Sequence, residues 1–270
     1  MAPLKHLKAI VFDWAGTVVD HGSLAPMGVF VETFAEFGVE ISVEEARVPM
    51  GMAKRPHIAA LMALPRVAKA WKAARGAAPT GADIDALYDV FVPKNRAIAA
   101  KFADLIPGTA ETVRGLRALG LKIGSTTGYT RDIMAEIMPV AAAQGFQPDS
   151  LVCTGDTVEG RPTPLMMYKT FLDLGVYPAA SVVKVDDTEV GIAEGLNAGS
   201  WTVGVAVSGN IFGLSLEDTK ALSPAEFSAR RQRAVARLSS AGAHVVIDSV
   251  ADLVPAIHDL EVRLARGERP

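Results

Sequence analysis

Three groups of polar residues, each at the end of an apolar segment, carry side chains that suit chemistry on phosphorus. Asp13 follows the apolar residues 9–12, and a carboxylate there is a potential nucleophile when a divalent cation neutralises the phosphorus oxygens. Thr127, which ends the sequence STT, offers a hydroxyl and an N–H group to a phosphate. Asp186 and Asp187 are adjacent carboxylates, and such like charges indicate a ligand for a hard metal ion.

A fourth group is the loop Gly160-Arg161-Pro162-Thr163-Pro164, whose guanidinium is able to clamp a phosphoryl oxygen. Taken alone, each group also has a purely structural interpretation. Asp13 then caps a turn, the Asp186-Asp187 pair caps an exposed helix, and Arg161 forms a surface salt bridge. These alternatives stay open until the groups are considered together.

The segment VPMGMAKRPH, residues 48–57, places Lys54 among glycine, methionine and proline. An apolar setting, with Arg55 beside it, lowers the pKa of an amine and frees it to attack a carbonyl carbon. If the segment is helical, His57 shares a face with Lys54 and is placed to move protons. The structural alternative is a solvated lysine and a histidine at the edge of the core.

Composition limits the classes of protein to which this chain can belong. Half of its 270 residues are hydrophobic and 21% are charged, which excludes a disordered chain. The formal net charge of −3 gives no positive field for nucleic acid or an anionic membrane. No apolar run approaches the about 18–20 residues of a membrane span, and the N-terminal run is too short for a signal peptide. With Cys153 alone, no intrachain disulfide is possible, and we expect a cytoplasmic protein without nucleic-acid or membrane partners.

Short apolar segments alternate with longer helical ones, a pattern typical of a doubly wound parallel sheet. We therefore predict an α/β, Rossmann-like core in which the carboxyl ends of the strands bring the polar groups together. Pro139 is expected to kink or break its helix, and residues 208–213 to form a flexible loop that borders the site. The predicted strands are 9–12, 121–127, 151–154, 181–185, 201–205 and 244–247. The predicted core helices are 109–119, 131–143, 164–174, 190–197, 224–240 and 250–265.

Residues 22–104 interrupt this alternation, because they contain helical patterns and no convincing strand. The predicted helices there are 24–37, 57–64, 67–74 and 84–100. A helical insertion after the first strand should lie over the carboxyl ends of the strands, where α/β sheets bind ligands. We therefore expect a catalytic core of residues 1–20 and 105–270, and an α-helical cap domain of residues 21–104.

The four polar groups, in this order, resemble the haloacid dehalogenase superfamily of aspartate-nucleophile phosphotransferases. The resemblance implies that Asp13 attacks phosphorus, Thr127 holds a phosphoryl oxygen, Arg161 supplies the basic group and Asp187 binds Mg²⁺. Asp13 also belongs to the implied metal site.

Two positions depart from the superfamily pattern. Phosphatases of the superfamily carry a general acid two residues after the nucleophile, where this chain has Ala15. Ala15 still offers a backbone carbonyl to the metal. The usual second metal-site acid is replaced by Gly191, and Asp186 and Glu189 are the two candidates to supply the missing carboxylate.

The stretches FDWAGTVVD, MGMAKRPHI, IGSTTGYTR, GRPTP and VKVDDT resemble one family within this superfamily, phosphonoacetaldehyde hydrolase or phosphonatase. The resemblance implies cleavage of the C–P bond of phosphonoacetaldehyde to acetaldehyde and phosphate. It implies a Schiff base on Lys54, an aspartyl-phosphate on Asp13, and Gly51 and His57 at the substrate. It also implies Mg²⁺ as cofactor and a homodimer formed through the cap.

Two alternative functions remain. A Mg²⁺-dependent sugar-phosphate phosphatase or phosphomutase has a similar cap, but Ala15 argues against it because that chemistry needs the missing acid. A catalytically silent binding protein that keeps the fold is the other, and for it Asp13→Asn would change no activity.

Overall fold

The computed structural model describes residues 3–270, and its centre is a parallel sheet of six strands in the order β3-β2-β1-β4-β5-β6. Ile10 and Phe12 pack into an apolar cluster on one face of the sheet, whereas Ala9 and Val11 pack into a second cluster on the other. Both faces are therefore covered, which confirms the predicted doubly wound α/β fold. The strands are β1 Ala9–Phe12, β2 Lys122–Thr127, β3 Ser150–Cys153, β4 Val182–Asp186, β5 Trp201–Val205 and β6 Val245–Ile247.

Twelve α-helices accompany these strands within residues 3–270. Among those residues, no helix has both the length and the apolar character that crossing a membrane requires. The first five helices are α1 Ala25–Glu36, α2 Val43–Arg47, α3 Lys54–Ala63, α4 Pro65–Arg75 and α5 Gly81–Ala99. The others are α6 Thr109–Ala118, α7 Arg131–Ala143, α8 Leu165–Leu174, α9 Glu189–Asn197, α10 Leu216–Ala221, α11 Pro224–Ser240 and α12 Leu253–Ala265.

Helices α1 to α5 form the helical insertion between β1 and α6 that the sequence predicts. They have an apolar cluster of their own, in which the Phe30 ring stacks on Phe91 at a centroid distance of 4.2 Å. Trp71 of α4 and Leu87 of α5 complete its interior. We call these five helices the cap. Its limits at residues 21 and 104 remain a prediction.

Local features of three helices differ from the sequence-based expectations. Pro139 does not break α7, which runs continuously from Arg131 to Ala143 because Ile137 and Ala141 hold its buried face on both sides of the proline. Helix α3 begins at Lys54 rather than at residue 57, since Pro56 lies in the first turn, where proline is tolerated. The short helix α2 was not predicted, although Ser42 and Glu45 form a capping box at its start.

Residues 208–213, expected to form a flexible loop, are packed into the protein. Ser208 and Phe212 are almost completely buried. The Ser208 hydroxyl donates a hydrogen bond to the carbonyl oxygen of Gly16 at 3.0 Å, which ties this segment to the turn that follows β1. The glycines in the sequence indicated a turn, but the burial of the loop arises from contacts that are distant in sequence.

Candidate active site

A cavity lies between the cap and the carboxyl ends of the central strands. Strands β1, β2 and β4 each place a polar group there, because neighbouring parallel strands end at the same edge of the sheet. Of the residues proposed from the sequence, His57, Asp186, Asp187 and Glu189 do not line the cavity. Its walls consist of Asp13, Ala15, Ser23, Met50, Gly51, Met52, Lys54, Thr127, Gly128, Tyr129, Arg161 and Thr188.

Lys54 enters this cavity from the first turn of α3, and only 4% of the residue is exposed. Its Nζ lies 4.9 Å from the centre of the Tyr129 ring and 5.7 Å from that of Phe30. Burial, with a smaller contribution from the cation of Arg161, lowers the pKa of Lys54 to about 8 against the opposite effects of Asp13 and Asp20.

The prediction that Arg55 lowers the pKa of Lys54 is wrong. Arg55 is exposed and forms a salt bridge with Asp85 at 2.6 Å, so that its charge is compensated in solvent. The positive end of the α3 dipole also disfavours an ammonium at the first helical position. Lys54 is therefore a buried amine that is more readily deprotonated than an ordinary lysine.

His57 lies one helical turn after Lys54, behind the wall of the cavity. Its ring stacks on Phe30 at a centroid distance of 4.1 Å, and Nε2 donates a hydrogen bond to the carbonyl oxygen of Ala46 at 2.8 Å. Burial, with the nearby charge of Lys54, holds the pKa of His57 well below its usual range. The ring is thus neutral, and Nδ1 is the nitrogen without a hydrogen bond within residues 3–270.

Asp13 lies at the bottom of the cavity and is bound by Arg161, whose Nη2 is 2.9 Å from Oδ1. Burial and the neighbouring carboxylate of Asp186 raise the pKa of Asp13 to about 6, although Arg161 acts in the opposite direction. Thr127 and Gly128 line the same cavity at the end of β2. A carboxylate, a hydroxyl and a guanidinium therefore converge at the end of the sheet.

Arg161 is held by a buried network that sequence reasoning missed. Its Nε lies 2.9 Å from Oε2 of Glu194, and the Nζ of Lys184 lies 3.1 Å from the same oxygen. Lys184 also lies 3.1 Å from Oδ2 of Asp186 and donates a hydrogen bond to Thr126 at 2.7 Å. Because buried charges are stable only when they are paired, these residues fix one another and Arg161 in place.

Asp13, Asp186 and Asp187 form an acidic cluster in which one oxygen of each lies within 4.8 Å of the others. Asp187 receives hydrogen bonds from Thr17 at 3.2 Å and from the backbone of Asn210 at 2.7 Å. No cationic side chain within residues 3–270 forms a salt bridge with it, and burial beside two carboxylates raises its pKa well above the usual range. This uncompensated buried charge fits a divalent cation.

The structure distinguishes between the two residues considered as substitutes for the acid missing at Gly191. Asp186 belongs to the cluster, whereas Glu189 forms an exposed salt bridge with Arg237. A Cβ atom at Gly191 would lie 1.9 Å from the Asp186 carboxyl carbon. The carboxylate of Asp186 thus occupies the space that a side chain at residue 191 would need.

The cap is closed over the core at Gly51. This residue has a φ of +93°, and a Cβ there would lie 2.4 Å from Oγ1 of Thr188, in the turn after β4. Across the cavity, a Cβ at Gly128 would lie 2.9 Å from the carbonyl oxygen of Met52. The backbone of the cap segment therefore touches the core on two sides, which excludes bulk water from Lys54.

Asp20 is a further buried residue that sequence reasoning missed. Its carboxylate accepts hydrogen bonds from the backbone N–H groups of Leu24 and Ala25, both at 2.9 Å, where the chain enters the cap. Burial raises the pKa of Asp20 to about 6. A signal was available, since aspartate shortly before a helix is a common N-terminal partner, but its link to the cap was not evident from sequence.

Comparison with known proteins relates the chain to a family of hydrolases. Residues 7–199 match the family model of haloacid dehalogenase-like hydrolases. The chain is 67% identical over 267 residues to the phosphonoacetaldehyde hydrolase of Paraburkholderia xenovorans, covering 99% of this chain and 100% of that protein. It is 50% identical over 269 residues to the corresponding hydrolase of Klebsiella pneumoniae, with the same coverage of both chains.

Similarity to a solved structure extends over the cap and the core. The crystal structure of a phosphonoacetaldehyde hydrolase-like protein from Oleispira antarctica superimposes with a TM-score of 0.97 at 47% sequence identity. The match covers 100% of this chain and 98% of that one. The arrangement of helices and sheet described above is therefore shared with that protein.

Proposed function

The chain belongs to the phosphonoacetaldehyde hydrolase family of haloacid dehalogenase-like hydrolases, and from this membership we propose that it hydrolyses phosphonoacetaldehyde to acetaldehyde and phosphate. The observation that carries the proposed mechanism is the amine of Lys54, buried over the same cavity as the Asp13 carboxylate. The Lys54 amine is a nucleophile for the aldehyde carbon of the substrate, and the Asp13 carboxylate is a nucleophile for its phosphorus.

In the first step, Lys54 activates the aldehyde carbon of the substrate. Neutral Lys54 attacks the aldehyde to give a carbinolamine, which takes up one proton from solvent as its hydroxyl leaves as water, so that a protonated imine remains. Direct cleavage of the C–P bond would expel a carbanion, which is a very poor leaving group. The iminium accepts the electron pair of that bond instead, so that the carbon fragment departs as a neutral enamine.

The second step transfers phosphorus to Asp13. Its carboxylate attacks as the C–P bond breaks, which gives an aspartyl-phosphate and the enamine on Lys54. Water then hydrolyses the aspartyl-phosphate to phosphate, while protonation and hydrolysis of the enamine release acetaldehyde and restore the lysine. Thr127 and Arg161, which line the cavity beside Asp13, are proposed to hold the phosphonate oxygens.

Gly51 and His57 complete the proposed substrate site. Gly51 lets the cap backbone lie against the core and cover the substrate. His57 acts from behind Lys54, where its unbonded Nδ1 is able to accept a hydrogen bond, and it is proposed to assist proton movement while the ring itself stays neutral.

We infer that Asp13, the backbone carbonyl of Ala15 and Asp187 hold Mg²⁺, with Asp186 as the second carboxylate of the site. Bound Mg²⁺ supplies positive charge that offsets the charge of the phosphonate and of the carboxylates around it. Because the enamine leaves without a proton, an alanine suffices at residue 15. The phosphatase and phosphomutase alternative needs an acid there and is not favoured.

The proposal extends to the organisation of the protein. Residues 1–20 and 105–270 act as the catalytic core, and residues 21–104 act as the cap that carries Lys54. We also propose a homodimer formed through the cap. A cytoplasmic location is proposed as well, and it suits a chain whose single cysteine, Cys153, is buried.

The proposed function is tested by incubating the purified protein with phosphonoacetaldehyde and Mg²⁺ and measuring both products. Equal amounts of acetaldehyde and phosphate are expected. A sugar phosphate such as glucose 1-phosphate serves as the comparison substrate and should release little phosphate. Turnover of the sugar phosphate in preference to the phosphonate would support the alternative function.

Removal of divalent cations should suppress turnover. With excess EDTA we expect phosphate release to fall by about 100-fold or more, because the buried carboxylates would then repel the phosphonate. Excess Mg²⁺ should restore the rate. Full activity after exhaustive chelation and desalting would contradict the proposed metal site.

The pH dependence of kcat/KM should report the amine of Lys54. Since only the neutral amine attacks the aldehyde, kcat/KM should rise with pH and level off above the pKa of about 8. Well below that pH, each unit should lower kcat/KM by about tenfold. A profile without an inflection in this region would show that deprotonation of Lys54 does not limit the reaction.

A further inference from the structure

Arg47, the last residue of α2, connects the entry to the cap with a loop of the core. Its Nη1 donates to the carbonyl oxygen of Gly22, at the entry to the cap, at 2.8 Å. The same nitrogen donates to Oδ1 of Asn210 at 2.9 Å, and Nη2 donates to the carbonyl oxygen of Gly213 at 3.1 Å. The guanidinium also approaches Gly213 so closely that a Cβ there would lie 3.0 Å from Nε of Arg47.

The core loop that accepts these hydrogen bonds also holds the proposed metal ligand Asp187. The backbone N–H of Asn210 donates to Oδ2 of Asp187 at 2.7 Å. A Cβ at Gly209 would lie 2.6 Å from Cβ of Asp187, so the loop packs directly against this side chain. A single residue, Asn210, therefore contacts both Arg47 and Asp187.

The cap residues that follow Arg47 lead directly to the reactive amine. Met50 and Gly51 line the cavity, and α3 begins at Lys54. Docking of Arg47 on the core thus fixes the beginning of a seven-residue segment that ends over Asp13. If the cap moved away, the bonds from Arg47 to Asn210 and Gly213 would be lost together.

We propose that Arg47 is a positioning residue that latches the closed cap over the core and, through Asn210, couples closure to the metal carboxylate Asp187. The planar fork of arginine suits this role, because it reaches acceptors on separate segments at once. Lysine has the same charge but presents it at a single point. Within residues 3–270, Arg47 forms no salt bridge with a carboxylate. Its hydrogen bonds to carbonyl and amide oxygens are therefore the contacts that attach it to the core.

The test is Arg47→Ala, with Mg²⁺ binding measured by calorimetry in the absence of substrate. We expect the dissociation constant of Mg²⁺ to rise about tenfold, as when an outer partner of a metal ligand is lost. KM for phosphonoacetaldehyde should rise by about the same factor. The control is Arg96→Ala, which removes an exposed salt bridge between the cap and Glu136 of the core and should change neither constant.

The sign of the change in Mg²⁺ affinity separates positioning from simple charge. Loss of a cation near the acidic cluster would by itself tighten Mg²⁺ binding, whereas loss of the latch weakens it. Arg47→Lys keeps the charge and should also weaken binding; it serves as the main variant if the alanine protein does not fold. Wild-type or tighter Mg²⁺ binding by a folded Arg47 variant would overturn the inference.

The KM measurement rests on the proposed function, but the calorimetric one needs only Mg²⁺ and the protein. Failure to cleave phosphonoacetaldehyde would therefore leave the test of Arg47 intact. Conversely, unchanged Mg²⁺ affinity in the Arg47 variants would overturn the proposed role of Arg47 but would not contradict the proposed reaction.

Discussion

Replacing Lys54 with arginine should lower kcat/KM for phosphonoacetaldehyde by about 10⁴-fold or more. Arginine keeps a positive charge on a long side chain, but its guanidinium stays protonated and forms no imine with an aldehyde. The carbon fragment would then have to leave as a carbanion. The rates of acetaldehyde and phosphate release, measured in parallel, give the result.

A matched control for this substitution is Lys72→Arg, in α4 of the same cap. Lys72 is exposed and lies outside the cavity, so its replacement should leave kcat/KM within about twofold of the wild-type value. A Lys54→Arg enzyme that kept a rate near that of this control would show that the amine takes no covalent part in the reaction.

Asp13→Asn should have an effect of similar size, with phosphate release reduced by about 10⁴-fold. The amide has nearly the same shape as the carboxylate, yet it is too weak a nucleophile to form an acyl phosphate. It also leaves the charge of Arg161 with one fewer carboxylate, because Asp13 lies 2.9 Å from that guanidinium. A continuous phosphate assay at saturating Mg²⁺ measures the loss.

The control for the second substitution is Asp132→Asn, at the exposed start of α7, which should not change the rate. Absence of turnover in both the wild-type protein and Asp13→Asn would favour the catalytically silent binding protein. Substantial remaining turnover would mean that phosphorus is captured by water or by another group.

The parts of the fold that the sequence predicts well are those determined by local pattern. The apolar runs that became β1 and β5 have the predicted limits, since strands buried on both faces are continuous apolar segments. The parallel arrangement then explains why Asp13 and Thr127, 114 residues apart in the chain, reach one cavity. Shared strand ends bring such residues together without any knowledge of the loops.

Residues whose environment depends on distant contacts were harder to interpret. Lys184 lies within β4, and a lysine in a strand is normally read as an exposed position. Its burial makes sense only beside Asp186, at the end of the same strand, and Glu194, which lies on α9. Glu194 on α9 had no recognisable signal at all, because a glutamate in a helix is usually solvated.

The pKa of Lys54 illustrates a correct prediction with an incomplete cause. The apolar composition of its segment indicated a lowered pKa, and burial is indeed the largest effect. The neighbouring cation proved to be Arg161 from the core rather than Arg55 from the next position. Adjacency in sequence identified the wrong charge, since consecutive helical residues point in different directions.

The most direct test of the mechanism is borohydride reduction during incubation with phosphonoacetaldehyde, followed by peptide mass analysis. For the wild-type enzyme, the imine mechanism predicts an ethyl group on Lys54, from reduction of the imine formed after phosphorus has left. For Asp13→Asn, it predicts a phosphonoethyl group on the same lysine, because the imine forms but the C–P bond stays intact. Phosphate release by the wild-type enzyme with Lys54 unmodified under these conditions would contradict the account.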